Sequence, residues 1–455
     1  MLSIFFMKKY LLFLFVFLSI FVFFSIKVFS QPWPGYNSSL YAGIHAISYQ
    51  PEIHSVMPSD WDINVLSTNL TFFNENFFGW DPIGDIKKGN IHSIDDIFQN
   101  HTGVIRGNVN FPSFAVRLND KSTLGFSWSL RGLLFSNISD GELSTFIDNI
   151  NDNPGEATSF NNDFASGMLS TWGQFGFNYS REIYSKKRNR LSGGITLNIL
   201  SGKGSAYLDF TELSFNYFDG VISDANLIFR MIITEEADKL ISGNGIPLFK
   251  KFGIGTDFGI TYQRLKSEQP GSTYLYKLGF AVTGLGKIDY SNTLSISSLR
   301  ISADRISKES FSDIESITQL RDTLISIFDL DIDNMKTVAS RLPLQINVSG
   351  DFNLHNRFYV HVAYLRQNYY FGNERYEDLC FNKFFVIPRY ESGKIGIYLP
   401  VSYNKFLNLQ TGVAFRWKPL VIGSDNIISY FLKGENSTNL DVYFTTRIKI
   451  NRKNR

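Results

Sequence analysis

Histidine and acidic residues that could hold a metal ion do not recur at ligand spacing in this sequence. The six histidines are scattered and form no His-Glu-x-x-His helix. Asp329, Asp331 and Asp333 imitate the start of a calcium-binding loop, but that loop needs glycine where Asn334 stands and a bidentate glutamate where Ser340 stands. We therefore predict a solvated loop here, and no cofactor for the chain.

Motifs for phosphate binding and nucleophilic catalysis are also missing. The segment Gly202-Lys203-Gly204-Ser205 lacks the upstream glycine of a phosphate-binding loop and is typical of a hairpin turn. No Gly-x-Ser-x-Gly elbow occurs, so we predict that the protein is not an enzyme. A hydrolase whose residues meet only in space stays an alternative. Cys380 is the only cysteine, which excludes an intrachain disulfide, and the net charge of +2 argues against a nucleic-acid-binding surface.

The first thirty residues have the organisation of an export signal. Lys8 and Lys9 precede an apolar run over residues 10–24, and Val28 and Ser30 place small side chains where a signal peptidase reads them. We predict that residues 1–30 are a cleaved signal peptide, with either Met1 or Met7 as the start. An uncleaved membrane anchor is the alternative.

The elements that would position a site are strands, because apolar residues alternate with small or polar ones along much of the chain. One strand predicted over residues 252–263 has one apolar side, formed by Phe252, Ile254, Phe258, Ile260 and Tyr262. Its other side is small or polar and includes Gly253, Gly255, Asp257 and Gly259. Aromatic residues make up 16% of the chain, and the mean hydropathy of −0.07 excludes a helical membrane protein.

Arginine side chains fix which side of these strands can face lipid. Arg117, Arg131, Arg416 and Arg447 all fall on the polar side. An arginine on the lipid side would cost about 2–4 kcal/mol at the bilayer midplane. We therefore predict an all-β fold, a transmembrane antiparallel β-barrel of about 14 strands (range about 12–16), in which these arginines and Gly253, Gly255, Asp257 and Gly259 face the lumen. A secreted β-sandwich is the alternative.

The remaining segments are assigned from breaks in the alternation. Residues 31–59 are irregular and precede the barrel, which we predict over residues 60–450 before a polar tail at 451–455. Apolar residues at helical spacing predict a short helical insertion near 305–335, within a break in the alternation that spans 301–336. Long polar insertions are predicted at 74–104 and 139–168.

Several segments carry a resemblance to a known family. They are Tyr41-Ala42-Gly43-Ile44-His45, Tyr49-Gln50-Pro51, Phe111-Pro112-Ser113-Phe114, residues 278–290, and residues 419–426 near the end. On these segments the chain resembles a family of unknown function of Bacteroidota outer-membrane barrels, similar in architecture to FadL and PorV-type barrels. The resemblance implies that the early segment 31–59 lies in the lumen as a plug, with its turn at Tyr49, Gln50 and Pro51.

The expected function follows from architecture. The first hypothesis is a passive channel or transporter for small compounds, hydrophobic compounds among them, in the cell outer membrane. The alternative is a barrel that transports nothing and serves as a scaffold for surface assembly or secretion, with the insertions at 74–104 and 139–168 as docking loops. Expected partners are outer-membrane lipid, the outer-membrane insertion machinery, and either a small-molecule ligand or a surface protein, but no nucleic acid.

Overall fold

The chain folds into one closed sheet with a short segment inside it. The computed structural model describes residues 33–57, 59–74, 103–138, 158–162, 165–218, 221–234, 252–268, 273–307, 326, 333–371, 374–404, 407–433 and 439–451. The helical elements among these residues are α1 (Pro34–Asn37), two 3₁₀ turns at Gly43–Ser48 and His54–Val56, and α2 (Ile427–Lys433). None of the described helices is long and apolar enough to cross a bilayer.

Strands make up most of the described chain. The first ten are β1 (Trp61–Asn74), β2 (Gly103–Asn110), β3 (Ser113–Asn119), β4 (Ser122–Ile138), β5 (Thr158–Asn162), β6 (Ala165–Lys186), β7 (Asn189–Phe218), β8 (Val221–Thr234), β9 (Gly253–Leu265) and β10 (Tyr274–Ser307). The others are β11 (Asp333–Arg341), β12 (Leu344–His355), β13 (Phe358–Phe371), β14 (Glu374–Glu391), β15 (Ile395–Tyr398), β16 (Val401–Asn404), β17 (Asn408–Thr411), β18 (Val413–Trp417), β19 (Leu420–Ser424) and β20 (Asn439–Ile450).

These strands form one antiparallel barrel. All twenty belong to a single sheet, and six consecutive pairs each share one position in the wall: β2 and β3, β5 and β6, β8 and β9, β11 and β12, β15 and β16, and β17 and β18. Fourteen positions remain for the described strands, which confirms the predicted number. β1 pairs with β20 from Trp61 opposite Ile450 to Phe73 opposite Asn439, so the sheet closes on itself and has no free edge there.

Tight turns lie at the barrel end that also contains the start of β1 and the end of β20. We call it the turn end. Two-residue connections join β3 to β4, β6 to β7, and β12 to β13, and Lys187 and Asn356 adopt positive φ angles of 52° and 47° in two of them. Such angles give a hairpin turn whose twist matches that of the strands. The longer connections between strands, including residues 75–102 after β1 and 308–332 after β10, begin at the opposite end of the barrel, which we call the loop end.

Side chains alternate between the interior and the exterior as the sequence pattern predicts. On β9, Gly253, Gly255, Asp257 and Gly259 are buried, whereas the intervening Ile254 is 73% exposed. Many of the described strands present apolar residues on the exterior, and the exposed ones include Phe114, Leu124, Phe177, Leu197, Phe258, Phe280, Ile397, Phe415, Ile422 and Ile448. A surface of this kind is what hydrocarbon tails require.

The strand pairing around β8 shows two features. The pairing of β7 with β8 shifts between Phe210 and Glu212, which places a β-bulge there. The break predicted from residue 301 is wrong at its start, since β10 continues to Ser307 and β8 pairs with it over that length. Strand pairing there outweighs a local pattern.

Several predicted segments lie outside the described residues. They are the signal peptide at 1–30, most of the insertions at 74–104 and 139–168, the central part of the helical insertion near 305–335, and all but the first residue of the polar tail.

Candidate functional site

Residues 33–57, which we call the plug, lie inside the barrel and are held by hydrogen bonds to its wall. The Tyr49 hydroxyl pairs with His361 Nε2 at 3.0 Å, and the Tyr49 carbonyl accepts from Asn347 at 3.3 Å. Gln50 Nε2 donates to Thr261 Oγ1 at 3.0 Å. The bonds come from β9, β12 and β13, so the turn of the plug is tied to one part of the wall.

Glycines in the wall make room for the turn of the plug. Asn178 Nδ2 donates to the Pro51 carbonyl at 2.8 Å. A Cβ at Gly194 would collide with that carbonyl and would lie 2.7 Å from Glu52 Cα. A Cβ at Gly259 would lie 3.0 Å from the backbone nitrogen of Glu52 and from Pro51 Cδ. These glycines therefore provide the surface on which the plug rests, rather than an open passage.

An apolar part of the plug packs closer to the turn end. Ile44 and Ile53 are almost fully buried and would each lie 3.3 Å from a Cβ at Gly125. They form one cluster with Ala42, Ala46, Ile47, Met57 and Ala115. The burial of these side chains gives this part of the plug a small apolar core.

The four arginines singled out by the sequence all lie inward, but they do different things. Arg117 donates to the carbonyl of Met57 at the end of the plug. Arg131 lines a cavity in the lumen. The guanidinium of Arg416 stacks over the ring of Tyr41 at 4.2 Å.

Arg447 joins the plug to the seam where the barrel closes. Its Nε donates to Asp62 Oδ1 at 2.6 Å, and a second nitrogen donates to the other carboxylate oxygen. Its third nitrogen donates to the Tyr36 hydroxyl at 3.3 Å. Asp62 is on β1 and Arg447 on β20, so this two-point contact crosses the pair of strands that closes the barrel.

A buried ionic network in the wall also contacts the plug. Arg389 donates to Asp351 Oδ2 at 2.7 Å and to the Tyr274 hydroxyl at 3.1 Å. Its Nε lies 3.3 Å from Glu391 Oε2, and Glu391 in turn accepts from the hydroxyl of Ser39 in the plug. Burying a charge is costly unless it is paired, and Arg389 is paired here with the carboxylates of Asp351 and Glu391.

Side chains replace strand pairing where β19 is short. β19 ends at Ser424, and α2 lies between β17 and the part of β20 nearest the loop end. The backbone nitrogen of Thr411 on β17 donates to Ser429 Oγ at 2.7 Å, and that of Asp441 on β20 donates to Asn426 Oδ1 at 2.9 Å. The backbone groups that face this interruption therefore find partners without a continuous strand.

Burial shifts the pKa values of several titratable groups of the plug, among them Glu52 and His45. Burial raises the pKa of Glu52 to about 7, and hydrogen bonds from the Ser55 amide and hydroxyl, at 2.9 and 2.6 Å, only partly offset it. Burial lowers the pKa of His45 to about 3, and the charge of Arg447 acts in the same direction. His45 is therefore neutral at physiological pH, whereas Glu52 titrates close to it.

A cavity of about 140 Å³ remains between the plug and the wall. Its lining is rich in amides, among them Asn108, Gln174, Asn198, Gln345 and Gln367. Arg106, Arg131 and Asp257 contribute charges, and Trp33 and Trp172 contribute aromatic surface. Within the part of the chain that the structure describes, no group of three or more His, Cys, Asp or Glu side chains could hold a metal ion.

The cavity brings together only some of the residues that the sequence singled out. Asp257 and Arg131 line it, whereas Gly253 packs against the backbone of Lys287, and Gly255 packs against Leu342 and Leu285. The sequence reasoning did not select the amides or the Asp351–Arg389 network. In the sequence, these residues are distinguished only by lying on the polar side of a predicted strand, and many other residues lie there as well.

The chain matches one protein-family model and shows a general likeness to several solved barrels. A family model described as "Family of unknown function (DUF5723)" matches residues 58–425. No curated protein matches the chain. Among solved structures, the toluene transporter TbuX of Ralstonia pickettii is 11% identical with a TM-score of 0.45, over 90% of this chain and 95% of that one.

Two further barrels show a comparable general likeness. The toluene transporter TodX of Pseudomonas putida is 9% identical with a TM-score of 0.38, over 91% of this chain and 95% of that one. A FadL homologue from Pseudomonas aeruginosa is 10% identical with a TM-score of 0.28, over 93% and 97%. The family match spans most of the chain, from before β1 to the end of β19, and this protein therefore belongs to the family of unknown function DUF5723.

Proposed function

We propose that this protein is an outer-membrane barrel that provides a passive route for small compounds, with the plug controlling passage. The observation that carries this proposal is the arrangement of the lumen. Its centre is occupied by a separate segment that the wall holds largely through hydrogen bonds, and a polar cavity remains beside that segment.

The chemistry of the lining bears on the cargo. A hydrophobic cargo belongs to the hypothesis drawn from the resemblance, and the toluene transporters described above are named for such a cargo. In this chain, however, amides and charged groups contribute to the lining beside apolar side chains, and these polar groups attract polar solutes and leave an apolar solute to displace bound water without replacing its hydrogen bonds. The lining therefore favours small polar compounds.

The proposal is tested by solute flux in proteoliposomes that contain the full-length protein. Gln50→Ala removes the hydrogen bonds between the plug and Thr261 and the Ile260 carbonyl, so we expect faster flux of small solutes than with the wild type. Lys186→Ala, at an exposed position beside the turn between β6 and β7, serves as the control and should leave the flux unchanged. If neither the wild type nor Gln50→Ala exceeds empty liposomes although the barrel is folded, the proposal fails.

One observation supports the alternative, a barrel that transports nothing and holds a partner. The plug is fixed not only at its turn but also through Ser39, Tyr36 and Met57, which contact buried charged groups of the wall. A lumen filled in this way suits a scaffold. The alternative predicts no flux in either variant and recovery of a stoichiometric protein partner when the chain is purified from native membranes.

A further inference from the structure

The cavity beside the plug has a definite place in the fold. Asn108 on β2, Trp172 on β6, Gln345 on β12 and Gln367 on β13 all contribute to its lining, and Trp33 and Ile44 of the plug close it from the centre. It is therefore a chamber between two parts of the protein. Its shape depends on the plug remaining docked.

Buried polar atoms in this lining have no hydrogen-bond partner among the described residues. Among the uncharged side chains of the lining, these atoms are Asn108 Oδ1, Trp172 Nε1, Gln345 Nε2 and Gln367 Oε1. Trp172, Gln345 and Gln367 are each more than nine-tenths buried. A buried polar group without a partner costs free energy, so groups of this kind mark a place where a ligand or ordered water completes the bonding.

The four atoms include both donors and acceptors. Trp172 Nε1 and Gln345 Nε2 can only donate, whereas Asn108 Oδ1 and Gln367 Oε1 can only accept. A carboxylate could satisfy only the donors, and an ammonium group could satisfy only the acceptors. A hydroxyl group does both, so a molecule with several hydroxyl groups matches the set.

The charged residues of the lining argue against a cationic ligand, whereas the two unpartnered acceptors argue against an anionic one. Asp257 is already engaged, because Asn198 Nδ2 donates to one of its oxygens at 2.7 Å and the Gly284 amide donates to the other at 2.6 Å. Asn198 in turn accepts from Gln174 at 2.9 Å. The one carboxylate is thus held by the wall, and the remaining charges, on Arg106 and Arg131, disfavour a cation.

The volume of the cavity limits the size of the ligand. An apolar protein cavity of about 150 Å³ accommodates benzene, which has six heavy atoms. The cavity of about 140 Å³ found here therefore fits a molecule of that size, such as glycerol, and excludes a hexitol while the plug stays docked.

We propose that this chamber is a binding site for a small, neutral, polyhydroxylated compound of about the size of glycerol, through Asn108, Trp172, Gln345 and Gln367. This site rests on the proposed function, because the compound that binds beside the plug would belong to the class of compounds that the barrel transports. Equilibrium binding nevertheless requires only the folded chain with its plug, so it is measured independently of flux.

The test is saturation-transfer NMR on the full-length protein in detergent micelles, with glycerol, sorbitol, acetate and benzene as separate probes. We expect a signal for glycerol that another small triol displaces, and a much weaker signal for the other three probes. The double variant Asn108→Leu/Gln367→Met keeps the side-chain size but removes two acceptors, and should weaken glycerol binding roughly tenfold. Gln263→Met removes an amide that faces the lumen from β9 outside this lining, and should bind glycerol like the wild type.

Several results would overturn the proposal. Equal glycerol signals from the wild type and the double variant, with circular dichroism showing both folded, would mean that glycerol contacts the protein elsewhere. A stronger signal for acetate or benzene would assign the chamber to an anion or an apolar compound. Absence of transfer to every probe would mean that water alone fills it. If the wild type binds glycerol but shows no flux above empty liposomes, the transport function is refuted and the binding site is retained.

Discussion

Replacing Gly194 by alanine should release the plug without unfolding the barrel. Gly194 lies on β7 beneath the turn of the plug, and an added Cβ would collide with the Pro51 carbonyl and lie 2.7 Å from Glu52 Cα. Both neighbouring atoms belong to the backbone, so no flexible side chain can move aside. Either the turn shifts away from the wall or the plug leaves its position.

The expected magnitude follows from the cost of overpacking. One additional methyl group in a close-packed site costs about 1–3 kcal/mol. Alanine also stabilises a strand relative to glycine by roughly 0.5–1 kcal/mol, but that gain is present whether or not the plug is docked, so it cancels in the docking equilibrium. The docked fraction relative to the undocked one should therefore fall roughly tenfold to a hundredfold.

Limited proteolysis measures this change directly. The plug contains Tyr36, Tyr41 and Tyr49, so chymotrypsin should cut within it much faster in Gly194→Ala than in the wild type, and mass spectrometry of the N-terminal fragments identifies the cuts. Gly167→Ala is the matched control, because the nearest atom to its added Cβ is a carbonyl oxygen at an ordinary 3.8 Å. Full protection of the plug in Gly194→Ala would refute the reasoning, as would equal loss of protection in Gly167→Ala.

Three further outcomes are expected. Arg447→Met should lower the free energy of unfolding by about 3–5 kcal/mol in urea titrations, because Asp62 stays buried without its partner. The double variant Asp62→Leu/Arg447→Met should recover most of that loss. An equal loss in both variants would contradict the pairing. Glu52 has a pKa of about 7 when docked and an ordinary value near 4.5 when exposed, so its own contribution favours docking below about pH 4.5 and is lost, by about 3 kcal/mol in all, as the pH rises through 7; His45 and His54, whose pKa values burial lowers to about 3 and about 4, act in the opposite direction. The difference in plug hydrogen exchange between the wild type and Glu52→Gln, in which the histidine contributions cancel, should therefore change by this amount between about pH 4.5 and 7. Tyr49→Phe should weaken docking by about 1–2 kcal/mol through loss of the bond to His361, measured by the same chymotrypsin assay, and an unchanged cleavage rate would show that this bond contributes nothing.

The orientation of the strands in the barrel wall could be predicted from local sequence, because each strand has its own alternation of apolar and polar residues. The alternation along residues 252–263 determines which side of β9 faces out, since a shift of one residue would place Asp257 in lipid. The same reasoning placed Arg131, Arg416 and Arg447 on the inward side. The pattern failed from residue 301 to 307, where apolar spacing was ambiguous and the pairing of β10 with β8 decided the structure.

The contents of the lumen could not be read in this way. Asp62 and Arg447 are 385 positions apart, and Tyr49 and His361 are 312 positions apart, so no local spacing in the sequence predicts either contact. The glycines beneath the plug illustrate the same difficulty. The sequence suggested that small residues on the inner side leave room, but only the structure determines that Gly194 and Gly259 make room for Pro51 and Glu52 rather than for a solute.

The sequence by itself determined that this chain forms a strand-built barrel with an apolar exterior and a polar interior, because that information repeats every second residue. The tertiary structure alone decided which polar groups meet, how the plug is seated, and where a small cavity with unpartnered amides remains. Those properties depend on the closure of fourteen strands around a separate segment, and closure brings together residues that are hundreds of positions apart.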